Sequence, residues 1–388
     1  MSSDNKTYCP VMFDEIYSSN KDNSYNLCCY ATGGTELDKK FKQSTHSPFE
    51  FFLSDEMNDL RSKVLKGEKI RNCHRCYREE ERHGYSSRTK YIDEYKNGKG
   101  YLPIKVERLG LKLRHFGNYC NLSCVMCNPW NSTTRKKELE DTNTMRIVTE
   151  GYQDFYYENL DFKSYEKFKQ SILDNIHLID RFFITGGEPL QMPKVWQFLM
   201  KDIPDEHAKN IKILFDTNGT KMQYKNYDFL DIVKKFKKAQ MNISCDNIGD
   251  KLAFQRYPID VEEFENNLLT YNKYINQIQI TVSLLNVLDL DNIYNYYKDN
   301  YKLDVASNSY VEGPTIMSVI NLKDNIKKDL INKYGYLKEN NKLFYNELKK
   351  TLYNSNKDKI LNYLDTLSKH RNMNWRSIWG DQIINSLV

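Results

Sequence analysis

From about residue 104 onward the chain alternates short apolar runs with longer stretches of helical periodicity. Leu109, Leu111 and Leu113 alternate with Gly110 and Lys112, the period-2 signature of a strand. The pattern predicts a helix over 162–180 and a strand at 181–185, then a helix near 193–202 leading to a strand at Ile211–Phe215. It continues with a helix at 225–236 before a strand at Met241–Cys245, and a helix at 261–275 before a strand at Gln279–Leu284. A helix near 288–300 precedes a last strand at 304–311 or 315–320. Alternating βα units imply an α/β fold with a parallel sheet and right-handed crossovers. Chemistry on such a sheet gathers at the C-terminal ends of the strands. The polar stretch 131–160 reads as an inserted flap or lid, and 321–372 as two or three Lys- and Asn-rich helices. Trp375 and Trp379 read as docking anchors for the tail.

Composition narrows the class. The 388 residues suffice for one large domain, or a large one with a smaller companion. A net charge of +5 permits contact with nucleic acid without arguing for it, since Lys-rich solvated faces give the same count. No apolar run approaches the length of a membrane span, and MSSDNKTYCP lacks a basic-then-apolar leader. Nine cysteines in metal-like spacings, without an export signal, point to a reducing cytosol and not to disulfides. The expectation is a cytoplasmic protein with no membrane partner.

Cys120, Cys124 and Cys127 form a C-x3-C-x2-C run in NYCNLSCVMCNPW. Three thiolates in one short loop can grip three corners of an iron–sulfur cube, which normally takes four cysteines. A loop without a fourth cysteine nearby therefore leaves one iron open, and an open position can do chemistry where a closed shell is structural. The alternative is a zinc site completed by His115, or three unrelated thiols.

The spacing resembles the signature of the radical S-adenosylmethionine (radical SAM) enzymes, and further motifs follow in order. Thr185-Gly186-Gly187-Glu188-Pro189 ends a strand and is similar to the family's motif for the amino group of SAM. Phe215-Asp216-Thr217-Asn218-Gly219-Thr220 and Asn242-Ile243-Ser244-Cys245-Asp246-Asn247 resemble the next strand ends. Arg256 and Asn286 fall where related enzymes place SAM-contacting polar groups. Met126 departs from the family, which usually has an aromatic residue before the third cysteine; a soft apolar side chain can substitute. The resemblance implies a partial (β/α)6 TIM-like barrel over 101–320, with a helical C-terminal extension over 321–388 packed outside it. It also implies a SAM-binding 4Fe–4S cluster on Cys120, Cys124 and Cys127, reductive cleavage of SAM, and a 5′-deoxyadenosyl radical that abstracts hydrogen. Gly186, Gly187 and Glu188 would orient the methionine amine, and Asn218, Ser244 and Asp246 the ribose. Arg256 would pair with the SAM carboxylate or sit in a surface salt bridge. Cys245, between two such residues on a strand, reads as core filler.

A second cysteine group, Cys9, Cys28, Cys29, Cys73 and Cys76, precedes the barrel. Tyr8–Tyr17 and Tyr25–Ala31 could pair as a hairpin across 20–23, and Cys73-His74-Arg75-Cys76 is a knuckle. The arrangement resembles the small N-terminal twitch (half-SPASM) domain, here 1–100, which holds one auxiliary 4Fe–4S cluster. Cys9, Cys28, Cys73 and Cys76 would ligate it. Adjacent strand residues face opposite ways, so only one of Cys28 and Cys29 ligates, with Cys28 favoured and His74 a spacer. A structural zinc knuckle is the alternative. The related enzymes imply a peptide or protein side chain as substrate, with a nucleotide, a sugar or another small molecule next. A one-electron reductant such as flavodoxin or ferredoxin is the implied partner. The rival from another class is a non-catalytic metal-binding protein that contacts nucleic acid through its Lys-rich face.

Overall fold

The structure is a computed structural model that describes residues 5–19, 23–31, 33, 35–100, 102–150, 162–334, 342–349 and 356–388. They fall into two compact units. One comprises residues up to 117 with 156–215 and 226–239, the other 118–155, 216–225 and 240 onward.

In the first unit, β1 (Glu15–Ser18), β2 (Tyr25–Asn26), β3 (Leu109–Leu113), β4 (Ile179–Ile184) and β5 (Lys212–Thr217) lie in the order β2-β1-β3-β4-β5. β1 pairs antiparallel with β2, Tyr17 opposite Asn26, and parallel with β3, Ile16 opposite Leu111. β3, β4 and β5 continue in parallel, with Leu111 opposite Phe182 and Phe182 opposite Ile213. Parallel strands are covered on both faces, and Leu109, Leu111 and Leu113 are accordingly buried together with Gly110. The rings of Phe116, Phe168, Phe182 and Phe198 pack at centroid separations of 5.3 to 5.8 Å and fill this core.

The expected N-terminal hairpin is shorter than its sequence suggested. Pro10, at φ −62°, starts a single helical turn over Val11–Asp14, so only Tyr17 and Ser18 pair with the returning strand. The intervening residues 20–22 lie outside the described ones. Two helices follow, α1 (His74–His83) and α2 (Ser87–Lys99). Gly84, at φ +69°, ends α1, and the Ser86 hydroxyl caps α2 by accepting from the N–H groups of Arg88 and Thr89. This tight connection brings Glu80 of α1 against Arg88 of α2.

The second unit contains β6 (Lys238–Ser244), β7 (Ile275–Val282) and β8 (Val305–Tyr310), parallel and in that order. The last strand is thus the earlier of the two candidates; 315–321 form short 3-10 turns. Helices α3 (Thr133–Asp141), α4 (Gly249–Gln255), α5 (Leu290–Tyr301) and α6 (Lys357–Arg371) belong to this unit. α3 corrects the lid expectation for the start of the polar insert, because its Arg135 and Glu138 are buried. Residues 151–160, the last part of that insert, lie outside the described ones. α6 buries Ile360, Tyr363, Leu364, Leu367 and Arg371, one face of a helix that carries a charge in line with apolar residues. Trp379 packs edge-on against Phe254 at 5.5 Å and donates to Leu285 O at 3.0 Å; Trp375 donates to Asp365 at 2.6 Å. Among the described residues no helix is long and apolar enough to cross a membrane.

Candidate metal centres

The Cys120–Cys127 loop follows directly on the first residues of the second unit. Its backbone turns tightly, with Cys127 N donating to Cys124 O at 2.9 Å. Ser123 N and Val125 N donate to Tyr257 O and Gln255 O at 2.6 and 2.8 Å, which ties the loop to the end of α4. Cys120 is buried, and Cys124 and Cys127 are half-buried. Donors face two of the sulfurs: Leu122 N at 3.5 Å and Asn218 Nδ2 at 3.8 Å from Cys120 Sγ, and Arg256 Nη1 at 3.8 Å from Cys124 Sγ.

Burial, with the neighbouring Cys124 adding to it, pushes the Cys127 thiol up to about 12 against the pull of Arg135 and Arg256. Burial also raises Cys124. Unligated, these thiols stay protonated at neutral pH; metal bonding deprotonates a thiol outright. Among the described residues no three His, Cys, Asp or Glu side chains converge as a single ion requires. The corners of a cube stand further apart, and three thiols in one loop with N–H groups on two of them suit a cluster. His115, offered as a zinc ligand, is committed to the core of the first unit. Its Nε2 lies 2.7 Å from the Tyr25 hydroxyl, it stacks on Phe168, and burial pushes its pKa down to about 3.

Asp246, Arg256 and Asn286 of the second unit form one buried network. Arg256 Nε donates to Asp246 Oδ2 at 2.6 Å, and Asp246 Oδ1 accepts from Thr281 N at 2.8 Å. Burial works against the Arg256 charge, but Asp246 and Cys124 more than restore it. The side chains of the pair are 7% and 0% exposed, which removes the surface-salt-bridge reading. Asn286 accepts from Ser283 N at 2.7 Å and donates to Asp246 O and Thr281 O at 3.1 and 3.0 Å, so its amide shapes this strand end. Asn218 accepts from Thr220 N at 3.0 Å and donates to Asn121 Oδ1 at 2.9 Å. Ser244 is half-buried at the end of β6, in register with Gln279. Cys245 points the other way, its Sγ 2.9 Å from the Tyr297 hydroxyl of α5, as a core residue would.

In the first unit, the Gly186-Gly187-Glu188 turn follows β4. Gly186 has φ +144°, and a Cβ there would come within 3.0 Å of Gly117 O, so only glycine fits. Gly187 is half-buried; Glu188 is fully buried and caps the next turn by accepting from Leu190 N at 3.1 Å.

Cys9, Cys28, Cys73 and Cys76 line a single cavity with Ser87 and Arg88. Burial is the main cause that raises all four thiols, Cys73 to about 12, and neighbouring thiols raise Cys9, Cys28 and Cys73 further. Cys29 is exposed, its Sγ 3.6 Å from the Tyr91 hydroxyl, and it does not line the cavity; His74 is exposed. The buried Ser87 hydroxyl has no partner among the described residues. Arg88 is fixed by Glu80, with Nε to Oε1 at 2.9 Å, and donates to Tyr8 O at 2.8 Å. Four thiols, an orphan hydroxyl and a fixed cation together suit an anionic, acceptor-rich metal–sulfide group.

Sequence reading missed Arg135, Glu138, Tyr363 and Arg371, which meet beneath the cysteine loop. The one available signal was the apolar stripe of α6, which continues into Arg371.

Comparisons with known proteins add the following. Native anSMEcpe with bound AdoMet is similar in structure, at 17% identity and a TM-score of 0.41 over 62% of this chain and 63% of that one. Native anSMEcpe with bound AdoMet and Cp18Cys peptide gives 21% identity and a TM-score of 0.38 over 60% and 62%. The chain therefore spans less than two thirds of the length of these solved structures. No curated protein matches it. Residues 115–297, which hold the cysteine loop and the strand-end motifs, match the Radical SAM superfamily, whose members are enzymes.

Proposed function

We propose that this protein is a radical SAM enzyme whose 4Fe–4S cluster is held by Cys120, Cys124 and Cys127. The observation that carries the reading is the short three-thiol loop, with N–H groups directed at Cys120 and Cys124, inside the segment that matches the superfamily. With SAM, such a cluster supplies reductive cleavage to methionine and a 5′-deoxyadenosyl radical for hydrogen abstraction. The protein's own part is to hold the thiols, exclude water and fix the surrounding polar groups. Asn218, Ser244 and Asp246 are the candidates for contacts to the ribose, on a partial (β/α)6 barrel over 101–320. Arg256 is better placed to steady Cys124 than to reach outward, because Asp246 already holds it.

Cys9, Cys28, Cys73 and Cys76 are the proposed ligands of an auxiliary 4Fe–4S cluster in a twitch-like segment over 1–100. The shared cavity supports that assignment. Four protein thiols leave no corner open to substrate, which favours electron transfer as the role of this cluster. A peptide or protein side chain is the proposed substrate, a flavodoxin or ferredoxin the proposed reductant, and the cytoplasm the proposed compartment.

The test is anaerobic incubation of the reconstituted protein with SAM and dithionite. Formation of 5′-deoxyadenosine that disappears in Cys120→Ala supports the proposal; no cleavage by the iron-loaded wild type refutes it. A colourless protein that binds zinc and shows salt-dependent affinity for nucleic acid would favour the non-catalytic alternative.

A further inference from the structure

Beneath the cysteine loop lies a buried cluster of charges. Arg371, the last residue of α6, donates through Nε to Glu138 Oε1 at 2.7 Å and through Nη2 to Glu138 Oε2 at 2.8 Å. The same guanidinium reaches Ser123 O at 2.6 Å, inside the loop, and Phe254 O beyond it. Arg135 of α3 donates to Val125 O at 2.9 Å and Cys127 O at 3.3 Å, and it also contacts Glu138 and the Tyr363 hydroxyl. Ser123 Oγ closes the set by donating to Glu138. Carbonyls at positions 123, 125 and 127 of the loop are therefore all held by two guanidiniums that share one carboxylate.

Two features exceed what packing needs. The side chains of Arg135 and Arg371 are 0% exposed and that of Glu138 is 3% exposed. Among the described residues two cations against one anion leave a surplus positive charge. Burying a charge without a counter-charge is costly, so such a surplus implies an anion nearby. Cys124 and Cys127 belong to the same loop and carry no charge as thiols; as iron-bound thiolates they supply one. Bidentate contact also fixes direction, which a lysine cannot reproduce.

We infer that Arg371 is a positioning residue for the SAM-binding cluster: with Arg135 and Glu138 it sets the course of the Cys120–Cys127 loop and supplies the counter-charge of its thiolates. The inference rests on the cluster assignment above and deepens it. The C-terminal segment is then part of the cluster site, and the loop is pre-shaped for iron before iron arrives.

The experiment uses the full chain, reconstituted anaerobically with ferrous iron and sulfide, as wild type, Arg371→Gln, Arg371→Lys, Cys120→Ala and Arg376→Gln. Arg376 is the control, an exposed tail arginine paired with Asp365 at 2.7 Å. Iron per chain and the electron paramagnetic resonance signal of the reduced protein, with and without SAM, are measured. Two 4Fe–4S clusters give about eight irons in the wild type. Arg371→Gln is expected to retain roughly four, the auxiliary cluster reporting a folded chain, and to lose the SAM-responsive signal. Arg376→Gln matches wild type. If Arg371→Gln takes up no iron at all, Arg371→Lys decides: an altered SAM-responsive signal supports the inference, and a wild-type signal overturns it. Full iron and a wild-type signal in both Arg371 variants overturn it as well. A wild type that binds no more iron than Cys120→Ala instead overturns the cluster assignment beneath it.

Discussion

Replacing Glu138 by Gln removes the carboxylate that Arg135 and Arg371 share, while leaving volume and shape almost unchanged. Burial alone would raise the Glu138 pKa, but hydrogen bonding from Arg371 and the charges of Arg371 and Arg135 hold it down to about 2. Against an ordinary value of 4.5, that depression corresponds to about 3 kcal/mol of native stability. Removing one partner of a buried ion pair gives a similar figure, about 3–5 kcal/mol. Because the folded pKa is depressed, the stabilisation is complete above pH 4.5 and is lost as the pH falls towards 2. Urea unfolding of wild type and Glu138→Gln, followed by tryptophan fluorescence, reads it directly, since Trp375 and Trp379 lie in the same unit. The expected result is a loss of about 3 kcal/mol at pH 7 that shrinks below pH 4.5. A difference under about 1 kcal/mol, or one that does not change with pH, refutes the charge-cluster reasoning.

Two further outcomes follow from other parts of the chain. His115 is buried neutral, its pKa depressed by burial from 6.5 to about 3, so the unfolded chain binds the extra proton between those values. Stability should fall by about 2 kcal/mol between pH 6.5 and pH 5 on this account, and His115→Phe should flatten that slope in denaturation curves. At the auxiliary cavity, Cys28→Ala is expected to halve the iron content after reconstitution, whereas Cys29→Ala leaves it unchanged, because Cys28 lines the cavity and Cys29 does not. Equal losses in both variants would contradict the assignment.

Much of the parallel sheet could be read from the chain because each strand there is a short apolar run set off by helical stretches. Strands were expected at 181–185, 211–215 and 241–245 and lie at Ile179–Ile184, Lys212–Thr217 and Lys238–Ser244. The cysteine spacing likewise singles out a loop because its three thiols are close in sequence. What failed depended on contacts distant in sequence. The polar composition at 131–160 suggested a solvated flap, yet Arg135 and Glu138 are buried because Arg371, Tyr363 and the loop carbonyls satisfy them. No local pattern announces such a partnership, since a charged residue next to an apolar stripe normally marks the stripe's edge. Arg256, a candidate SAM contact from its position in the sequence, has its guanidinium held by Asp246, ten residues before it.

An iron left open by Cys120, Cys124 and Cys127 is the proposed binding site of SAM. Hyperfine spectroscopy on the dithionite-reduced wild type, with SAM carrying a 15N-labelled methionine amine, tests it most directly. A 15N coupling on the cluster signal, absent from Cys124→Ala, is the expected result. A reduced cluster whose signal is indifferent to SAM and shows no such coupling would contradict it.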